Sequence, residues 1–238
     1  MKKRLKYAAI FTFLFIVGFY AFWQVSKSRT YQIFGEIVPR VETSQKVVAL
    51  TFDDGPTVEG TTEVLSILKE NDIKASFFLI GADIEKNPES AKQIIAAGHE
   101  VGNHSYTHER MFFKTPSFIE REIEDTDKLI REAGYEGTIH FRAPYGKKFL
   151  LLPYYLSKRN KKNIMWDVEP NSFPEIDKDA NKIVEYTLKN SKPGSIILLH
   201  VMYTGREESM KAIGGIIKSL KEQGYEFKTV SELLALKS

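Results

Sequence analysis

From Lys46 to the C-terminus, short and nearly continuous apolar runs alternate with longer stretches in which apolar residues recur every three or four positions. The short runs cover residues 47–52, 75–80, 99–103, 139–142, 163–168, 195–199 and 226–230, and most have the length and apolar continuity of strands buried on both faces. The longer stretches, residues 61–71, 88–97, 116–133, 179–190 and 207–223, have the period of amphipathic helices. Strands alternating with helices of this length predict parallel βα units in an α/β domain, either a barrel or a doubly wound sheet, and periodicity does not choose between the two. No internal repeat or low-complexity stretch marks a second domain, so residues 46–238 read as one.

A different pattern precedes this alternation. Residues 7–26 are uncharged and apolar all round, with Lys2, Lys3, Arg4 and Lys6 before them and Lys27 and Arg29 after. At about 1.5 Å per residue a helix of that length covers the roughly 30 Å hydrocarbon core of a bilayer. The excess of positive charge on the N-terminal side puts that end in the cytoplasm and the rest outside. A cleaved signal peptide competes with this reading. The apolar region exceeds a usual signal core, and no small-x-small cleavage site follows Trp23, so residues 1–26 are expected to be a cytoplasmic basic tip and an uncleaved transmembrane anchor. Residues 27–45 read as a polar linker with a short apolar piece around Ile33 and Phe34.

Composition narrows the chemistry. Net charge is +3 over 238 residues, with basic residues spread along the chain, which gives no support to nucleic acid as a partner. There is no cysteine, so disulfides and thiolate ligands are excluded and any metal falls to His, Asp and Glu. The unusual polar residues follow directly on predicted strands: Asp53 and Asp54 after the first, His104 after the third, Arg142 at the end of the fourth, His200 after the sixth. In a parallel barrel these positions converge on one face. His104 and His108, separated by three residues, suit one metal ion such as Zn, Fe, Ni or Cu, or are two surface histidines. The Asp53–Asp54 pair supplies carboxylates in two directions, or a plain turn. His200 suits a general acid or a capped core histidine, and Arg142 an orienting partner for a carboxylate or a solvated charge.

Thr51-Phe-Asp-Asp-Gly-Pro56, His104-Ser-Tyr-Thr-His108, Arg142-Ala-Pro-Tyr145 and Leu198-Leu-His200 occur in the order and rough spacing of the polysaccharide deacetylase family, carbohydrate esterase family 4, which the chain resembles from Val47 to about Leu234. The resemblance implies a distorted (β/α) barrel of about seven parallel strands. It implies Asp54, His104 and His108 as ligands of a divalent metal, zinc most often, with Co2+, Ni2+ or Fe2+ also accepted. It further implies Asp53 as general base, Arg142 as the residue orienting it and His200 as the acid that protonates the leaving amine. Tyr145, through its backbone N–H, would bind the oxyanion in a loop stiffened by Pro144, and Leu198 would help to receive the acetyl methyl. The implied substrate is an N-acetylated polysaccharide: with a membrane anchor, peptidoglycan or another N-acetylglucosamine-containing envelope polymer, with chitin oligomers and O-acetylated glycans as alternatives. The implied location is the cell membrane, single-pass with the catalytic domain outside, or secreted if the N-terminal segment is cleaved; no protein partner is evident.

One segment departs from the family pattern. Trp166-Asp-Val-Glu-Pro-Asn-Ser-Phe173 carries Ser172 and Phe173 where the family has Asp-Trp, so the negative neighbour that supports the acid histidine is missing. Asp167 and Glu169 are the nearest replacements in sequence. Two other readings follow from the same residues: a glycan-binding domain that has kept the fold without turnover, and a non-haem iron oxygenase, because two His and one carboxylate also hold Fe(II). Tyr106, Phe112, Phe113, Tyr154 and Tyr155 are candidates for stacking on sugar rings or for ordinary packing.

Overall fold

The computed structural model describes residues 2–237. Helix α1 (Lys2–Lys27) is followed by strand β1 (Ile37–Val38) and then by the alternation of the domain: β2 (Val47–Asp53), α2 (Val58–Glu70), β3 (Ser76–Leu79), α3 (Gly81–Lys86), α4 (Pro88–Ala96), β4 (Glu100–Asn103) and α5 (Pro116–Glu132). The second half runs α6 (Leu151–Lys158), β5 (Asn163–Ile164), α7 (Pro174–Asp177), α8 (Ala180–Asn190), β6 (Ile196–His200), α9 (Glu207–Glu222), β7 (Glu226–Phe227) and α10 (Val230–Leu234). Helix starts follow local chemistry: the Thr57, Thr115 and Asp179 side chains accept from backbone N–H groups at the heads of α2, α5 and α8, and α10 opens with a Thr229–Glu232 capping box.

The ladder order is β4-β3-β2-β6, with β7 pairing the first two residues of β2, and β1 pairs β5; all of these pairings are parallel. The ladders curl without closing completely. Single parallel bridges continue the curve, from Asn103 to Phe141, from Phe141 to Asn163 and from Val168 to Ile197. The fold is therefore α/β with parallel strands, and three of the expected strands shrink; residues 226–230 keep only β7, because Thr229 caps α10 and Val230 opens it. Residues 139–142 are reduced to the bridge at Phe141, because the Arg142 carbonyl is taken by His104 Nδ1 at 2.9 Å. The 163–168 run keeps only β5 as regular strand. Asp167 and Val168 both donate to the Ile196 carbonyl, a local doubling that breaks the register.

Strand alternation sorts β2 into two faces. Val48, Leu50 and Phe52 pack outward with Val64, Leu68 and Ile213, while Val47 and Ala49 face inward with Phe78, Ile196 and Leu198. Continuing that inward face by twos brings Thr51 and then Asp53 to the C-terminal edge, and on β6 the same step leads from Leu198 to His200. Residues 27–45 lie against the domain rather than clear of it. Val38 and Val41 are buried in the inner core, and the buried Gln32 side chain accepts from Asn163 Nδ2 at 3.0 Å.

Candidate active site

Register brings the first two groups together. Asp53 and His200 are Cα partners on neighbouring strands β2 and β6, so both project from one rung at the C-terminal edge. Asp53 is 2 % exposed, and its Oδ1 accepts from Arg142 Nη1 at 2.6 Å. Arg142 is fully buried; it also donates to Thr51 Oγ1 at 2.9 Å, to the Ile164 carbonyl at 3.1 Å and to the Met165 carbonyl at 3.2 Å, with its guanidinium 3.9 Å from the Phe78 ring centroid. A charge taken so far from water is tolerated because it has this many acceptors.

Asp54 leaves the strand in the left-handed region, φ 75°, and its Oδ1 comes 3.8 Å from His104 Nε2, on which Asp53 Oδ2 also closes at 3.6 Å. The Asp54 Oδ1 is buried without a hydrogen-bond partner, and lies 3.3 Å from His108 Nε2. Burial, and secondarily the Asp53 charge, push its pKa up to about 7. Ser105, His108 and Tyr145 also have positive φ, so four of the seven non-glycine residues in that region among the described residues lie at this one place. Each costs of order 1–3 kcal/mol, a concentration of strain typical of functional loops.

The histidine loop is held from two sides. Asn103 Oδ1 accepts from the Ser105 N–H, while the buried Glu122 carboxylate of α5 accepts from the Tyr106 and Thr107 N–H groups and from Thr107 Oγ1. Glu122 drew no attention in the sequence because it occupies a polar-looking position of a charged amphipathic helix. His104 Nδ1 donates to the Arg142 carbonyl, which leaves Nε2 free of its proton and facing Asp54. Burial holds the His104 imidazole far below its ordinary pKa, hence neutral, the form that ligates metals. The ligand atoms of Asp54, His104 and His108 all lie within 4.8 Å of one another. An orphaned carboxylate oxygen facing two neutral imidazole nitrogens fits a divalent cation.

The chain is matched over residues 40–160 by the family model for polysaccharide deacetylase. It is 32 % identical over 203 residues to a peptidoglycan-N-acetylglucosamine deacetylase of Bacillus cereus, covering 85 % of this chain and 95 % of that one. The chain belongs to the polysaccharide deacetylase family. Among solved structures of the family, the Bc1960 peptidoglycan N-acetylglucosamine deacetylase superposes with a TM-score of 0.77 at 32 % identity, over 82 % of this chain and 91 % of that one. BA3943 of Bacillus anthracis, a pseudoenzyme of the same family, superposes with 0.75 at 30 % identity, over 83 % and 68 %. Membership removes the oxygenase reading.

Around the deacetylase centre lies a cavity of about 470 Å³, lined by Asp53, Asp54, His104, His108 and His200 and walled by Tyr145, Trp166, Glu169, Asn171, Ser172 and Arg206. Tyr145 is 53 % exposed at the rim, with its ring 4.7 Å from that of His108 and the Arg110 guanidinium 4.3 Å from its centroid. Pro144 is buried beneath it. Leu198, expected at the acetyl pocket, is fully buried one layer below His200 and does not line the cavity; Trp166 forms the apolar wall instead.

His200 has an acceptor that the sequence reading did not find. Asn171 Oδ1 accepts from the His200 backbone N–H at 3.0 Å and lies 3.5 Å from its Nδ1. Asn171 Nδ2 donates to Asp177 Oδ1 and Ser209 Oγ, and Asp177 in turn pairs with Arg206. Neither expected replacement serves His200. Asp167 accepts from the Ser195 hydroxyl and the Ile196 N–H, and Glu169 accepts from Trp166 Nε1 and Ser172 Oγ, both at 2.7 Å. Burial pushes the His200 pKa down to about 4, against the opposing effect of the Asp53 charge on the neighbouring strand. Arg29, from the segment after α1, reaches the same wall: its guanidinium is 3.6 Å from Glu169 Oε2 and 5.6 Å from the Trp166 centroid.

Proposed function

We propose that the protein is a metal-dependent deacetylase of an N-acetylglucosamine-containing envelope polysaccharide, foremost peptidoglycan, tethered by residues 1–26 with its catalytic domain, residues 46–238, outside the membrane. The observation that carries this reading is the orphaned Asp54 Oδ1 facing two imidazole nitrogens, beside an Asp53 already fixed by Arg142. The similarity to the peptidoglycan deacetylase of Bacillus cereus supports the substrate. The length and apolar character of α1 support the tether.

Asp54, His104 and His108 would hold the divalent ion, zinc first, with Co2+, Ni2+ or Fe2+ also suited to the same donors; when bound it acidifies a water and polarises an acyl oxygen. Asp53 has Oδ1 committed to Arg142, so its Oδ2 is the free base that takes a proton from the attacking water. As the water oxygen bonds to the acetyl carbon, the Tyr145 backbone N–H donates to the oxygen that gains charge. His200, across the cavity and steadied by Asn171, donates a proton to the sugar nitrogen as the C–N bond breaks, and acetate and a free amine leave. Trp166 packs against the acetyl methyl.

The test is acetate release from N-acetylglucosamine oligomers and from peptidoglycan by the zinc-loaded protein. Asp53→Asn is expected to lower release by about 10²–10⁴-fold, the usual worth of a general base. A second reading has its own observation: a low His200 pKa and an imidazole whose Nδ1 faces the Asn171 amide rather than a carboxylate, in a family that includes the pseudoenzyme BA3943. Zinc-loaded protein that binds either glycan and releases no acetate from it would establish that reading.

A further inference from the structure

At the end of α1 the helix is packed against the domain by aromatic rings. Phe22 stacks on Phe113 at 5.1 Å, lies 5.1 Å from Phe112 and meets the edge of Phe149 at 3.8 Å. Trp23 carries Lys147 Nζ 4.3 Å over its ring, and the Lys148 N–H donates to the carbonyl of the fully buried Ser26. These contacts set a depth. Phe22 precedes Ser26, the last residue of the uncharged stretch, by four positions, so it lies about 6 Å further along the helix axis at 1.5 Å per residue. Domain side chains that touch Phe22 sit at the level of residues belonging to the span, not above it.

What the domain presents at that level is apolar. Phe113 is 72 % exposed and Leu151 44 % exposed, and beside them runs a groove of about 230 Å³ whose lining is apolar apart from Lys114. Phe113 is also held at φ 53°, an outlying conformation for a bulky residue; its ring meets Phe22, Phe112 and Phe149 on one side and is otherwise left open. Lys27, Arg110, Lys114 and Lys147 surround the patch; the nearby acid, Glu109, is taken by Lys114. An apolar floor inside a cationic border matches the boundary between acyl chains and anionic headgroups.

We infer that this face of the domain is seated in the outer leaflet beside α1, with Phe113 and Leu151 among the upper acyl chains and Lys27 and Lys147 on anionic phospholipid headgroups. The seat rests on the reading of α1 as an uncleaved span, and the test separates the two. The chain has no cysteine, so single sites are available for labelling. Full-length Phe113→Cys, Leu151→Cys, Phe15→Cys and Lys218→Cys variants, each carrying an environment-sensitive fluorophore, are reconstituted in phosphatidylglycerol–phosphatidylcholine vesicles containing spin-labelled phosphatidylcholine. The expected result is quenching at 113 and 151 by a label high on the acyl chain, quenching at 15 by a deep label, and none at 218 on the exposed side of α9. Quenching at 15 without quenching at 113 and 151 leaves the anchor standing and overturns the seat. Absence of quenching at 15 overturns both. Fluorophores at 113 that are shielded from lipid and quench one another as the protein-to-lipid ratio rises overturn the seat in favour of a second copy of the chain.

Discussion

The side-chain oxygen of Asn171 offers His200 a dipole where a carboxylate would offer a full charge. An imidazole that is buried and lacks a charged partner resists protonation, whereas one beside a carboxylate gains it, by up to a few pKa units. Asn171→Asp is therefore expected to raise the His200 pKa. The limb of the kcat/KM–pH profile on which the protonated acid is lost should move to higher pH, with more activity at neutrality. Because Asn171 Nδ2 donates to Asp177, the new carboxylate meets a like charge there, and Asp177→Asn in the same chain should enlarge the shift. An unmoved profile in the double variant would mean that His200 is not the donor being titrated. Arg142 works by the opposite device, since its charge is satisfied from four sides and keeps Asp53 in one orientation.

Strand β1 has only two residues in its ladder, yet it closes the inner core over β5. The Asn163 N–H donates to Glu36 and the Met165 N–H to Val38, next to the two carbonyls that receive Arg142. A chain begun at residue 46 instead of 28 loses the burial of Val38 and Val41, worth roughly 3–6 kcal/mol together at about 1.5–3 kcal/mol each. For a domain of this size that corresponds to a Tm lower by about 10 °C, readable by calorimetry, at 2–4 °C per kcal/mol. Such short elements escape a sequence reading. Residues 27–45 hold too few apolar positions to announce a strand, and α6 carries Pro153 in its first turn, which breaks the helical signal while leaving the helix intact. By contrast β2, β3 and β6 were legible because they are buried on both faces and hence almost continuously apolar, whereas β4, Glu100-Val-Gly-Asn103, was legible from its place in the alternation with helices. That Asp54, His104 and His108 gather at one place and that Arg142 meets Asp53 was legible for a related reason: strand ends fix where their side chains go. Asn171, Glu122 and Arg29 were not. Each acts on a group at least 14 positions away through a contact that only the assembled fold creates.

At the scale of the whole molecule, acidity and metal binding are coupled through Asp54. Its folded pKa, about 7, lies above the unfolded value, so its protonation stabilises the metal-free fold in acid and that contribution is lost as pH rises through 7. The ligand set needs the ionised form, so metal affinity should fall by about tenfold per pH unit below 7. Zinc at about 100 times its Kd should add roughly 2.7 kcal/mol at pH 7.5. Thermal scans should show that increment shrinking at pH 6 for a fixed zinc concentration, and Asp54→Asn should abolish it. The same molecule is bounded in space by a much shorter distance. From Ser26, where the helix meets the domain, to Arg29, which touches the cavity wall at Glu169, is three residues, at most about 10 Å of extended chain. With α1 in a bilayer the enzyme cannot rise to meet its polymer. On the proposed reading it would process only the layer of glycan within a nanometre or so of the lipid, and its output would follow the concentration of acetylated sugar in that thin shell, whatever the thickness of the wall above.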